Sequence, residues 1–242
     1  MRIDRDEIVV ADLAVEVVRK EIKHLHLGVY PPRGRVRVAV PLHVGDETVR
    51  LAVISRLGWI HRQQDRFERQ ERQSARELVT GESHYVRGRR YRLDVIEADG
   101  PASVRPRNNR TLELRVPPGS SREKRERLLA DWYRQQLRTR VPKLIARWEP
   151  VIGVEVADWR IRKMKTRWGS CNADAGRVWL NLELAKKPAA CVEYILVHEM
   201  VHLLERKHND RFRAYLDQFM PQWRRYRDEL NRAPLGHEDW SY

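Results

Sequence analysis

Apolar residues recur at every second position in the first third of the chain. Leu25, Leu27 and Val29 alternate with polar or small residues, and Val36, Val38 and Val40 do so again. A period of two belongs to half-buried strands, and Pro31-Pro32-Arg33-Gly34 between the two runs supplies a turn, so a hairpin is expected. The period then changes. From Asp46, read as an N-cap, Val49, Val53, Leu57, Ile60 and Phe67 follow helical spacing and predict one long amphipathic helix to about Leu78. After Gly81 the strand pattern resumes, with a second hairpin turning at Gly88 within Tyr85 to Val95 and another strand over Thr111 to Val116. Pro117-Pro118-Gly119 closes this stretch and marks the expected boundary between a β-rich region with one long helix, residues 1–117, and a second region, residues 118–242.

In the second region, Ser120 or Ser121 caps a helix to about Trp148 that carries Leu128, Leu129, Trp132, Leu137, Leu144 and Ile145, with Pro142 as a kink point. Short strands follow over Val154–Val156, Trp159–Arg162 and Val178–Leu182, the last two separated by the turn-rich Asn172 to Gly176. Next comes an apolar helix from about Pro188, and a last helix over Asp210 to Leu230 interrupted by Pro221. No internal repeat is evident. The fold class expected is α+β: long helices, a small sheet and the apolar helix from about Pro188, preceded by the β-rich region.

Composition narrows the classes. With 242 residues and 41% hydrophobic content the chain has enough apolar material for a packed core. No apolar run approaches the ~18 residues that span a membrane, so a soluble, cytoplasmic protein is expected. Cys171 and Cys191 lack C-x-x-C spacing, which argues against a disulfide framework and a cysteine zinc site. A net charge of +14, mostly arginine, favours anionic partners, and association with nucleic acid through the basic surface is one expectation. The arginines at 62, 66, 69, 72 and 76 are interspersed with acids, as on a solvated helix laced with local ion pairs.

The candidate chemistry lies in His198-Glu199-Met200-Val201-His202, an H-E-x-x-H segment set in apolar surroundings. Residues four apart share a helix face, so His198 and His202 can reach one zinc ion, with Glu199 beside it to take a proton from water. Two candidates exist for a third ligand. His208 follows the charged run Glu205-Arg206-Lys207 and requires a turn, which Asn209 and Asp210 tolerate, whereas Glu205 shares the helix face of His202. His208 is favoured, because a histidine on a turn leaves the fourth coordination position open; Glu205 then orients a ligand or pairs locally. Nickel, cobalt or manganese also suits three imidazoles. Upstream, Lys165-Thr166-Arg167-Trp168-Gly169-Ser170-Cys171 reads as a strand bordering the cleft. Gly169 there allows close backbone approach, and Arg167 or Lys165 is placed to stabilise a developing oxyanion.

These residues carry a resemblance. The segment Arg167-Trp168-Gly169-Ser170-Cys171, the strand over Val178 to Leu184 with its L-N-x-x-L pattern, and the His198 to Phe212 block together resemble the YgjP-like metal-dependent hydrolases, relatives of the SprT-like zinc metallopeptidases. The block's frequent F-W ending is Phe212-Arg213 here. The resemblance implies a hydrolase with a zincin-like catalytic domain, zinc held by His198, His202 and His208 and Glu199 as catalytic base; it does not settle the substrate, for which a protein or peptide is the leading expectation. Two other readings stay open: hydrolysis of a nucleotide phosphoanhydride at the same metal, and a DNA-associated module whose metal is structural.

Overall fold

Alternation and helical spacing are realised in a computed structural model that describes residues 4–30, 34–69, 77–164 and 167–232. The chain forms two compact units, one reaching to Arg72 and one over Gln73–Glu238. The expected turn at Pro31-Pro32-Arg33, the side chain of Phe67 and Lys165 lie outside the described set. No helix among the described residues is long and apolar enough to cross a membrane.

The first unit is a sheet of β1 (Asp4–Val10), β2 (Leu13–Arg19), β3 (His26–Tyr30) and β4 (Arg35–Val40) in the order β1-β2-β4-β3. The expected hairpin is β3 and β4, antiparallel with Leu27 opposite Val38. Its inward residues Val15, Val17, Val36, Val38 and Val40 form a core with Val49, Val53 and Ile60 of two helices, α1 (Asp46–Ile54) and α2 (Leu57–Arg69). The single long helix expected here is therefore broken. At the break the Ser55 hydroxyl donates to Ala52 O, and Arg56 N turns back to Val53 O at 2.9 Å, tightening the last turn and ending the ladder. Gly45, not Asp46, occupies the N-cap position, and the Asp46 carboxylate is taken by Arg19.

The second unit opens with β5 (Ser83–Val86), β6 (Arg89–Glu97), β7 (Ser103–Pro106) and β8 (Thr111–Val116), ordered β5-β6-β8-β7. This is the topology of the first sheet again. In both, the outer pairs are antiparallel and the central pair, β2 with β4 or β6 with β8, is parallel. Both first hairpins turn through two residues of positive φ, Ala11 (47°) and Asp12 (65°) in one, Arg87 (51°) and Gly88 (80°) in the other. Both fourth strands end in Val-Pro, at Val40-Pro41 and Val116-Pro117, before a helix.

That helix is α3 (Arg122–Ile152), capped by Ser121, whose hydroxyl accepts from Lys124 N, and Pro142 lies within it without ending it. It shares one core with β5–β8: Leu93, Leu112, Leu114 and Val116 pack in the same cluster as Leu129, Tyr133 and Leu137. The Tyr133 hydroxyl donates to Tyr85 O at 2.8 Å. The β-rich stretch before Pro117, assigned from sequence to the N-terminal side of a boundary, thus divides between the two units. Beyond α3, Val154–Val156 is not a strand. A three-stranded sheet follows, β10-β11-β9, from β9 (Asp158–Arg162), β10 (Gly169–Asn172) and β11 (Arg177–Asn181). A 3-10 turn, Leu182–Lys186, leads to α4 (Ala189–Val201), and α5 (Asp210–Phe219) and α6 (Trp223–Arg232) replace the single last helix, parted near Pro221.

The β5–β6 turn supports the motif helix. Arg87 N and Gly88 N donate to Ala185 O and Lys186 O, at 3.1 and 2.9 Å. A Cβ on Gly88 would lie 2.7 Å from Pro188 Cγ and 3.2 Å from Pro188 N, whereas one on Gly119, also at positive φ, meets nothing within 4 Å. Gly119→Ala is expected to cost only the backbone strain, about 1–2 kcal/mol. Gly88→Ala adds overpacking of roughly 1–3 kcal/mol against a proline ring that cannot swing away. Urea denaturation of the two variants checks this; equal losses would remove the steric account.

Candidate metal centre

α4 is apolar on every face, and Cys191, Val192, Tyr194, Ile195, Leu196, Val197, Met200 and Val201 are all buried. A helix so enclosed cannot rotate about its axis, so His198 and the C-cap residue His202 are held to one side. After His202 the chain turns, with Glu205 N donating to Val201 O at 3.0 Å. Asn209 then caps α5, its side chain accepting from Phe212 N at 3.0 Å, and this returns His208 to the pair.

The geometry is convergent. His208 Nε2 lies 3.0 Å from His198 Nε2 and 3.1 Å from His202 Nε2. Phe212 forms the floor, its ring centroid 4.9, 4.5 and 4.7 Å from those of His198, His202 and His208. His202 Nδ1 faces Glu205 O at 3.0 Å, and since a carbonyl only accepts, this nitrogen carries the proton and Nε2 presents its lone pair. Burial, followed by the neighbouring imidazoles, pushes His198 down to about 3. His202 and His208 are lowered too, chiefly by burial. Three imidazole nitrogens this close, with that of His202 presenting a lone pair, are placed to share one cation. Nitrogens about 3.0–3.4 Å apart suit one ion with Zn–N bonds of about 2.0–2.1 Å. These residues fit a divalent metal ion, and among the described residues they form the one group of three or more His, Cys, Asp or Glu whose donor atoms gather within 4.8 Å.

Glu205 is elsewhere. Its carboxylate accepts from Lys207 N at 3.0 Å and from the Asn209 side chain, so the rival ligand closes the turn, and its carbonyl orients His202. Glu199 is 5% exposed. Burial pushes its carboxyl up to about 8 against the opposing pull of the Arg167 guanidinium. Gly169 explains how it fits: a Cβ there would lie 2.5 Å from Glu199 Oε1 and 2.8 Å from its Cγ. The close approach inferred for Gly169 is therefore made by the catalytic candidate's own carboxylate. Arg167, exposed, lines the same cleft as His198, His202, His208 and Glu199. Cys171, on the same strand, has its thiol pushed up to about 11 by burial and is no nucleophile at neutral pH.

Two participants were not singled out from sequence. Tyr194, one turn before His198, meets its ring edge-on at 5.9 Å and stacks on Trp223. Asn181 lies beneath the Arg167 segment; its only signal was its place in the L-N-x-x-L pattern.

A model of the family described as YgjP-like, metallopeptidase domain, matches residues 25–233. Among solved structures, the metallopeptidase zymogen of Pyrococcus abyssi abylysin is 21% identical, with 37% of this chain and 90% of that chain covered and a TM-score of 0.35. The zymogen of Methanocaldococcus jannaschii jannalysin is 16% identical, with 37% and 92% covered and a TM-score of 0.34. No curated protein sequence matches the chain.

Glu199 makes the metal-free protein's stability depend on pH in a definite direction. Below its ordinary 4.5 both folded and unfolded states hold the proton and there is no penalty. As pH rises from 4.5 to about 8 the unfolded state ionises first, so folding stability is lost across that window. Metal-free Glu199→Gln is therefore expected to melt above metal-free wild type at pH 8, with the gap closing towards pH 4.5. The histidine contributions cancel in this comparison. Thermal melts after chelation test it, and a gap independent of pH would show that the carboxyl is not held protonated.

Proposed function

The chain belongs to the YgjP-like metallopeptidase family, and we propose that it is a zinc-dependent hydrolase cleaving peptide bonds with Glu199 as general base. The observation that carries this reading is the convergence of three imidazole Nε2 atoms beside a buried carboxylate at the edge of a strand. His198, His202 and His208 would hold the ion, which when bound supplies water activation and carbonyl polarisation at an open position.

The protein's own residues do the rest. Glu199 takes the proton of the attacking water and passes it to the leaving amine; the Arg167 guanidinium, and a divalent ion when bound, would favour the ionised form that accepts the proton. β10 pairs with β11 on one side only, and its residues Gly169 to Asn172 line the cleft. An extended peptide laid along that edge is gripped by its backbone, independent of sequence. Arg167, at the head of the strand, contributes positive charge where the carbonyl oxygen becomes anionic.

A phosphoanhydride substrate finds less support. Of the cleft arginines, Arg206 is paired with Asp174 and Arg227 with Asp228, and among the described residues Arg167 has no acidic partner within ion-pair distance. One guanidinium outside an ion pair among the described cleft residues does not make a triphosphate cradle. A structural metal is disfavoured too, because such sites use four protein ligands and the described group has three.

Metal-loaded Glu199→Gln is expected to keep its ion and lose peptide cleavage by at least about 10²–10⁴-fold. His208→Ala should lose the ion, and Glu205→Ala should retain it. Unfolded protein and nucleoside triphosphates, assayed side by side on wild type, separate the substrates; hydrolysis of the nucleotide alone would reject the peptidase reading, and full activity in Glu199→Gln would reject the base.

A further inference from the structure

Asn181 ends β11 and is 4% exposed, directly behind the connection from β9 to β10. Its amide uses every hydrogen-bonding capacity it has. Oδ1 accepts from Met164 N at 3.3 Å and Glu183 N at 3.1 Å. Nδ2 donates to Met164 O at 2.8 Å and Arg167 O at 2.7 Å. A carboxamide offers two lone pairs and two N–H bonds, so none is left over. The orientation is fixed as well, since the flipped amide would aim N–H groups at N–H groups and its oxygen at carbonyls. The Asn181 backbone N–H donates to Trp168 O at 2.9 Å, adding a third tie to the same connection.

We propose that Asn181 is a positioning residue for the reaction: it ties Met164 and Arg167 to the strand behind them, and so holds the Arg167 guanidinium and the Gly169 backbone against Glu199. The inference rests on the hydrolytic reading above insofar as Arg167 and Glu199 act on substrate. Geometry explains why a side chain does this work. β9 and β10 are not neighbours in their sheet, because β11 lies between them. The crossing segment is therefore not held by pairing of β9 with β10, and one buried amide supplies both a donor and an acceptor to Met164 and a donor to Arg167. Gly169 leaves no spare room beside Glu199, so a displacement of the segment by a fraction of an ångström alters the carboxylate's surroundings.

A purely structural role, capping the 3-10 turn through Glu183 N, is separable from this one. Asn181→Asp keeps an oxygen for Glu183 N but sets a second oxygen against the Met164 and Arg167 carbonyls. Asn181→Ser keeps a capping hydroxyl without burying a charge, and replaces the aspartate variant if that fails to fold. The test uses the zinc-loaded full chain as wild type, each Asn181 variant, Arg167→Ala and the double variant. Expected are full metal content, a fall of roughly 10–100-fold in kcat for peptide cleavage with KM changing less, and a double variant scarcely worse than the worse single one. Trypsin should also cut after Arg167 faster in the Asn181 variants, at temperatures where their melts are complete neither in wild type nor variant. Wild-type kcat, losses that multiply in full with Arg167→Ala, or unchanged trypsin cleavage would each overturn the proposal. The trypsin arm does not depend on the reaction: if wild type cleaves no peptide, faster cutting upholds the tie while the hydrolytic reading falls.

Discussion

Three imidazole Nε2 atoms crowded around one point form an arrangement that the polypeptide would not adopt without compulsion. The nitrogens lie 3.0 and 3.1 Å apart, and burial disfavours the charged forms of the His198 and His202 rings. The compulsion comes from three sources acting on different rings. α4 is buried on all sides and fixes His198, the carbonyl of Glu205 fixes the rotation of His202, and the cap at Asn209 brings His208 back over Phe212. His198, His202 and His208 would bond a divalent ion held there, so that part of the folding free energy invested in gathering them would be returned as affinity.

Glu199 imposes the second constraint. A carboxyl with little access to water must have a wall shaped to it, and the wall is Gly169, whose missing side chain leaves the space the carboxylate fills. Gly169 and Glu199 thus form one packed object made from a strand and a helix remote in sequence. The tie from Asn181 to Arg167 belongs to the same object, because a wall is of use only where it is held.

Much of the site was legible because its chemistry is local. H-E-x-x-H needs only helical spacing, and the apolar residues around it advertise burial. The hairpin at Gly88 and the strand over Thr111 to Val116 were legible for similar reasons, turn chemistry and alternation being short-range signals. What escaped was set at longer range or by subtle local competition. The break after Ile54 turns on Ser55 and Arg56 bonding back within the turn, while the apolar spacing runs on through Leu57 and Ile60 undisturbed. The allocation of β5–β8 to the core of α3 depends on Leu112 and Leu114 meeting Leu129 and Leu137, which proline-rich punctuation at 117–118 does not reveal. Gly169 gave the right property, room for close approach, without naming the neighbour. Asn181 gave no signal beyond its place in the L-N-x-x-L pattern, since a buried asparagine is defined by partners that only the fold assembles.

The recurrence of one strand order in β1–β4 and β5–β8 went unseen in the sequence because alternation survives almost any exchange of apolar residues. It leaves the newly made chain with an ambiguity. Two hairpins that turn alike, and two pairs of strands that seek a parallel neighbour, permit β2 to dock on β8, or β6 on β4, as a topologically complete mistake. Loop closure favours the right partners, as β2 and β4 are separated by 15 residues, from Arg19 to Arg35. Order of synthesis favours them too, since the first set can close before the second has emerged. Dissimilar side chains on the two sheets are then a safeguard against strand exchange, and protect the sheet that shares its core with α3 and α4.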